Sequence, residues 1–293
     1  MRLPAGLDWW RDEPDGAAWL ARLPRLVAEC AERWELSLGE PLETKISLVV
    51  PVTLADRTPA VLKLNFPEPE SEHEADALAL WDGRGAVRLL AHHEEHRALL
   101  VERCLPGTQL WELDDEEATR IAAGALSRIW RPPPDHHAFR LLADEAARWA
   151  HELPSRWERL AGPFERPILD EAVSALRELG PEQRELVVCH QDFHGGNVLR
   201  ARREPWLVID PKPLVGEREF DTASLIRDRR DDLARDPAPA ARIRRRLDAL
   251  AADLALDRER MRRWAIAHAL AWGVDDKGIH TDIVECARLL ARA

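Results

Sequence analysis

A chain of 293 residues exceeds one ordinary domain, and its 45% apolar content suffices to bury a substantial core, so two packed lobes are expected. The 42 Lys and Arg against 53 Asp and Glu leave a formal net charge of -11, which repels nucleic acid and anionic membrane at long range, keeps the chain soluble and attracts a cationic partner. No apolar run approaches membrane-spanning length, and the opening "MRLPAGLDWWRDEPDG" meets acids, Gly and Pro before a signal-peptide core could form. Cys30, Cys104, Cys189 and Cys286 lie far apart and make no disulfide framework, so a reducing cytoplasm is the expected location.

Residues 13 to 36 carry Trp19, Leu20, Leu23, Leu26, Val27, Cys30 and Trp34 at a mostly helical spacing interrupted by Pro24, which predicts a helical lead-in. "KISLVVPV" and "PAVLKLNF" are β-rich runs separated by "TLADRT", a turn between antiparallel strands. "PEPESEHEADALALWDG" starts with Pro and acids and ends on Gly83, the start and stop chemistry of a helix. "AVRLLAHH" and "HRALLVE" read as two more strands, so the N-terminal part is a small sheet with one helix on it. After "RCLPGTQL" the pattern turns helical over 114–131, 138–160, 167–180, 221–232, 238–256, 258–274 and 277–292, interrupted only by the strand-like "LVVCH", "NVLRA" and "PWLVID". The fold class is therefore α+β, with a lobe over 1–103 (its first 38 residues the lead-in) and a larger, mostly helical lobe over 104–293.

The polar groups that invite chemistry sit at the ends of those interrupting runs. In "VVCHQDFHGGNVL", His190, Asp192 and His194 alternate, so an extended strand would place all three on one face, a geometry that could bind zinc in a hydrolase. Gly195, Gly196 and Asn197 favour a turn instead, and no further His/Cys cluster completes a metal shell. "HHEEH" at 92–96 lacks the Glu that must directly follow the first His of an H-E-x-x-H motif, and reads as a solvated hairpin turn. The basic run "RIRRRL" at 242–247 reads as a solvated helix face.

The same loop also fits phosphoryl transfer. Asp192 and Asn197 have the five-residue spacing of a kinase catalytic loop, in which the Asp takes the acceptor hydroxyl proton and the Asn oxygen ligates magnesium. Asp210 ends "WLVID" thirteen residues later; with Asn197 it supplies the one or two hard oxygen ligands that Mg2+ needs beside phosphate and water, while His190 braces the loop. Such chemistry also needs a strand lysine held by a helix glutamate. Only four of the 42 basic residues are Lys, and one of them, Lys63, lies in the apolar strand "AVLKL". Glu74 shares a helical stripe with Leu78 and Trp81 and is chosen as its partner over Glu70, whose place near the helix start the helix dipole explains.

The segments "AVLKL", "LALWDGRGAVRLLAHH", "ALLVERCLPG", "HQDFHGGNVL" and "IDPKPLVGEREFD" occur in family order over about residues 40 to 225 and together resemble the aminoglycoside phosphotransferase branch of the protein-kinase-like fold, in its streptomycin 6-kinase and hydroxyurea phosphotransferase family. The resemblance implies a bilobal kinase-like fold and transfer of phosphate from ATP with Mg2+ to a small-molecule hydroxyl. It implies Asp192 as base, Asn197 and Asp210 as magnesium ligands, Lys63 as phosphate contact, and the hinge Glu102, Arg103 and Cys104 as the adenine site through backbone groups. Lys212 in "DPKP" approaches phosphate or braces the loop. The loop "GEPLETKISLVV" departs from the family's small-residue pattern, leaving Thr44, Lys45 and Ser47 as side-chain substitutes, and keeps open a non-catalytic nucleotide-binding role.

Asp275 and Asp276 follow the helix "RRWAIAHALAWGV", where acids oppose the dipole. Two readings remain: one of them caps the final helix, or the pair binds guanidinium or ammonium groups of a cationic acceptor.

Overall fold

The computed structural model describes residues 1–293. The chain forms two compact units, one of Met1–Gly107 with Ala201–Leu207 and one of Thr108–Arg200 with Val208–Ala293.

The first unit begins with a 3₁₀ segment, Ala5–Asp12, and helix α1, Gly16–Arg33. Pro24 lies inside α1 on its exposed side, so the helix continues through the point where the sequence pattern breaks. Strands β1 (Ser37–Leu38), β2 (Leu48–Thr53) and β3 (Pro59–Leu64) precede helix α2 (Glu74–Trp81), and β4 (Leu89–His93) and β5 (Ala98–Glu102) follow it. They form one antiparallel sheet in the order β1-β2-β3-β5-β4. Val50, Val52, Ala60, Leu62, Leu64 and Leu100 face Leu20, Leu23, Leu26 and Val27 of α1, so the lead-in helix supplies the core of this unit. Strand alternation then turns Lys63 to the other face. Helix α2 begins seven residues later than its Pro-led signal: Pro69–Ser71 forms a separate 3₁₀ turn, in which Ser71 Oγ donates to Phe66 O and Glu68 O. Asp82, left-handed at φ 48°, closes α2 by donating its N–H to Leu78 O.

The second unit contains α3 (Asp115–Ile129), β6 (Arg140–Leu141), α4 (Leu142–Arg159), α5 (Arg166–Leu179) and β7 (Leu186–Cys189). Strands β8 (Val198–Arg200) and β9 (Trp206–Val208) bracket residues 201–205, and β10 (Leu214–Glu217) pairs parallel to β6 and antiparallel to β7. Strand β10 has no sequence signal; it is four residues long, follows Pro213 and contains Gly216, where a Cβ would lie 2.8 Å from the Leu142 side chain.

The helix expected over 221–232 is broken into α6 (Arg218–Asp221), α7 (Ala223–Ile226) and α8 (Arg230–Arg235). Its polar side chains bond to backbone instead of facing solvent: Thr222 Oγ1 donates to Glu219 O, Ser224 Oγ to Gln191 O, and Asp228 accepts the N–H groups of Arg229 and Gly195. Helices α9 (Pro239–Leu254), α10 (Arg258–Gly273) and α11 (Thr281–Leu290) complete the unit. The solvated face expected for "RIRRRL" holds only for Arg244 and Arg245. Arg246 is buried and, with Arg242, donates to the Asp115 carboxylate; Arg246 Nη1 also caps Asp228 O. The "HHEEH" segment turns between β4 and β5, with the rings of His93 and His96 stacked at 3.9 Å.

Candidate active site

In the first unit Lys63 Nζ donates to both oxygens of Glu74, at 2.7 and 2.6 Å. Both side chains are more than nine-tenths buried, a setting in which an ion pair persists only if its remaining hydrogen-bonding capacity is met. Asn65 and Ser47, which carry no motif, help to meet it: Asn65 Nδ2 donates to Glu74 Oε2 at 2.7 Å and Ser47 Oγ to Asn65 Oδ1 at 2.7 Å. Glu70 lies on the 3₁₀ turn before α2. Thr44 Oγ1 donates to Ser47 O at 2.6 Å, so the single hydroxyl hydrogens of Thr44 and Ser47 both have acceptors inside the chain, contrary to the expectation that they reach a phosphate.

Glu102 ends β5 and gives its backbone N–H to Arg88 O. Its carboxylate accepts Arg203 Nε and Nη2, while the same guanidinium holds Gly83 O and Ala86 O; residues 201–207 thereby join the first unit through Arg203. Arg103 is exposed, whereas burial pushes the Cys104 thiol up to about 12.

In the second unit β7 delivers His190 to a loop fixed from below by Asp221. That carboxylate accepts the backbone N–H of His190 (3.0 Å) and of Gln191 (2.7 Å) and the indole N–H of Trp130 (2.9 Å). Fully buried, it is raised above the ordinary carboxylate range by desolvation. His190 is also fully buried, and desolvation holds its imidazole below 6.5, hence neutral; its Nε2–H donates to Ile209 O at 2.9 Å. His190 O accepts the N–H groups of Asp192 and Lys212, and Asn197 O accepts that of Ile209, so the loop and the segment bearing Asp210 are stitched together. Asn197 Nδ2 donates to Asp192 O at 3.0 Å, which orients the amide and leaves Oδ1 as an acceptor. Asp192 is half-buried, with His194 Nε2 3.9 Å from Oδ1, and Asp210 adopts a left-handed φ of 58°. Gly195 and Gly196 are required by Trp111: a Cβ on either would lie within about 3 Å of it.

His194 accepts Gly196 N–H and stacks on Trp111, His190 is bound to Ile209 O, and no group of three His, Cys, Asp or Glu side chains converges to hold a metal. The three-ligand zinc geometry is therefore not formed. Asn197 and Asp210 offer one amide oxygen and one carboxylate, a donor set that fits a hard cation retaining waters and phosphate oxygens. Lys212 Nζ and the Arg227 guanidinium lie over Trp272, at 5.3 and 5.8 Å. Arg227 is fully buried, donates to His268 Nδ1 at 2.6 Å and is pushed down to about 10 by burial.

Neither Asp275 nor Asp276 caps α11, which starts at Thr281 behind His280. Asp275 Oδ1 accepts the N–H groups of Lys277 and Gly278, and Asp276 pairs with Arg159 and, at 3.6 Å, Arg156. The large cavity of about 1010 Å³ lined by Asp114, Asp115, Asp236, Arg242 and Arg246 includes none of Asp192, Asn197 or Asp210.

The fold recurs in the solved aminoglycoside phosphotransferase APH(3'')-Id from Streptomyces rimosus, determined with ADP and streptomycin: TM-score 0.57 at 18% identity, covering 89% of this chain and 100% of that one. The two chains thus share one architecture. At the sequence level, residues 33–277 match the family model for aminoglycoside/hydroxyurea antibiotic resistance kinases. Streptomycin 6-kinase of Streptomyces griseus is 40% identical over 267 residues, spanning 89% of this chain and 86% of the relative. Hydroxyurea phosphotransferase of Kitasatospora aureofaciens is 38% identical over 271 residues, spanning 89% and 76%. This chain belongs to the aminoglycoside/hydroxyurea antibiotic resistance kinase family.

Proposed function

We infer that this chain transfers the γ-phosphoryl group of ATP to a hydroxyl of a cationic aminoglycoside of the streptomycin type. The observation that carries this reading is the hydrogen-bonded His190–Asn197 loop, whose Asp and Asn have kinase spacing, in a chain 40% identical to a streptomycin 6-kinase.

Asp192 accepts the acceptor's proton as the new O–P bond forms and the bond to the ADP oxygen breaks. Its placement depends on Asn197 and, through the backbone, on Asp221 and the neutral His190. Lys63, held by Glu74, contacts the nucleotide phosphates; the backbone at Glu102, Arg103 and Cys104 takes the adenine, with the Glu102 N–H already given to Arg88. Asn197 and Asp210 would hold Mg2+, which when bound neutralises charge on the phosphates. A cytoplasmic location suits four free, buried cysteines and an ATP-dependent reaction, and no helix is long and apolar enough to cross a membrane. Among acceptor contacts, Asp276 is exposed and within reach of a guanidinium that displaces Arg159, whereas Asp275 is committed to its turn.

The 38% identity to a hydroxyurea phosphotransferase supports a second reading, in which the small neutral hydroxyl compound is the acceptor. Mass spectrometry of streptomycin and of hydroxyurea after incubation with enzyme and Mg-ATP separates the two. A phosphate ester on streptomycin supports the main reading, one on hydroxyurea alone supports the second, and binding of ATP without either product supports a non-catalytic nucleotide-binding role.

A further inference from the structure

The loop that precedes β2 lacks the glycines by which a chain turns successive amides toward a phosphate, yet its backbone is held in an arrangement that serves the same end. Gly6, in the N-terminal 3₁₀ segment, packs so closely under Thr44 O that a Cβ there would lie 2.3 Å from it. Trp9 Nε1 donates to Lys45 O at 2.5 Å, and Trp10 Nε1 to Ile46 O at 2.9 Å. Three successive carbonyls, those of Thr44, Lys45 and Ile46, therefore face the N-terminal segment. In a trans peptide each carbonyl is antiparallel to the following N–H, so the amides of Lys45, Ile46 and Ser47 are directed away from it. None of these three amides donates to an acceptor in the chain. Successive amides on one side of a turn form an anion-binding concavity.

The segment that holds the carbonyls is itself anchored. Trp9 stacks on Trp10 and Trp10 on Phe66, both at 4.1 Å, and Trp19 meets Phe66 edge-on at 5.5 Å. Phe66 directly follows Asn65, which bonds Ser47 and Glu74, so the loop is fastened by indoles at one end and by the Lys63–Glu74 network at the other. Trp10 is buried but Trp9 is 40% exposed, an arrangement that apolar burial alone does not explain for Trp9 and that its hydrogen bond does.

We propose that Gly6, Trp9 and Trp10 are positioning residues for the nucleotide phosphates: the two indole N–H groups draw the loop carbonyls away from the anion and present the amides of Lys45, Ile46 and Ser47 to it. The proposal rests on the reading that the first unit binds ATP. Its test is equilibrium binding of Mg-AMP-PNP and of adenosine to the full chain and to Trp9→Phe and Trp10→Phe, which keep an aromatic ring and delete the donor. Each lost bond raises the dissociation constant for Mg-AMP-PNP by about three- to tenfold, the span of a single hydrogen bond, while that for adenosine, which has no phosphate, stays unchanged. If Trp10→Phe fails to fold, the exposed Trp9→Phe decides alone. Equal weakening of both ligands, or no change in either, overturns the proposal while leaving the kinase reading intact. Failure of the unaltered chain to bind Mg-AMP-PNP overturns both.

Discussion

Asp221 accepts the backbone N–H groups of His190 and Gln191 from a position with no exposure to solvent, and so sets the geometry of a loop thirty residues upstream. Replacing it with Asn retains one acceptor oxygen but brings an NH₂ group against backbone donors. Each buried donor left without a partner costs about 1–3 kcal/mol. Asp221→Asn is expected to lower the melting temperature and to reduce kcat more than it weakens AMP-PNP binding, because the displaced element is the loop of Asp192. A variant that loses thermal stability alone, with kcat intact, removes Asp221 from any positioning role.

The Lys63–Glu74 pair separates folding from chemistry. Truncation of one member of a buried ion pair leaves the other uncompensated, at a cost of about 3–5 kcal/mol, whereas replacing both with apolar groups is often nearly neutral. Glu74→Ala should therefore destabilise the protein strongly. The Lys63→Met, Glu74→Leu double variant should recover most of that stability in denaturant titrations and still bind ATP poorly. Recovery of ATP affinity along with stability argues against Lys63 as a phosphate contact.

Acid stability follows from two buried imidazoles. His190 and His268 are held below 6.5 by desolvation, His268 well below and with the Arg227 charge adding to the effect. The unfolded chain then takes up protons that the native chain resists, so the stability these groups contribute is full above pH 6.5 and is lost as the pH falls below it, at up to about 1.4 kcal/mol per pH unit for each histidine. Asp221 acts in the opposite sense and lower down: its raised value makes the native state bind a proton more readily just above 3.8, so its term grows more favourable as acid is added there. Melting temperatures between pH 7.5 and 5 should fall (range from the free-histidine value), and His268→Gln, which keeps an acceptor for Arg227, should flatten the fall.

Much of the first unit is legible from local pattern. The alternation in "PAVLKLNF" separates Leu62 and Leu64 from Lys63, and the same rule puts them on opposite faces of β3. What the pattern does not carry is nonlocal. Arg246 looks like a surface cation until Asp115, 131 positions away, folds beneath it, and the helical signal over 221–232 gives way because Ser224 and Asp228 find backbone partners in the loop of Gln191 and Gly195. Strand β10 is too short to show a period. Asn65 and Ser47 complete the Lys63 network without belonging to any motif, and the late start of α2 follows from the 3₁₀ turn at Pro69.

The two acids after α10 should divide in their effects. Asp276 is exposed and paired with exposed Arg159, so Asp276→Asn is expected to raise KM for streptomycin by up to about fivefold, the worth of an exposed ion pair, and less at high salt. Asp275→Ala removes the acceptor of two turn amides and should lower the melting temperature with little change in KM. A KM for streptomycin in Asp276→Asn equal to that of the unaltered chain at low salt points to a purely structural carboxylate.

Single-turnover transfer of labelled γ-phosphate to streptomycin, with enzyme in excess and nucleotide saturating, tests the assignment of Asp192 as base most directly. The account predicts label on the acceptor with the unaltered chain, and a folded Asp192→Asn variant of similar AMP-PNP affinity that transfers it about 10²- to 10⁴-fold more slowly. Transfer at the unaltered rate by that variant, or label appearing only as inorganic phosphate with the unaltered chain, contradicts it.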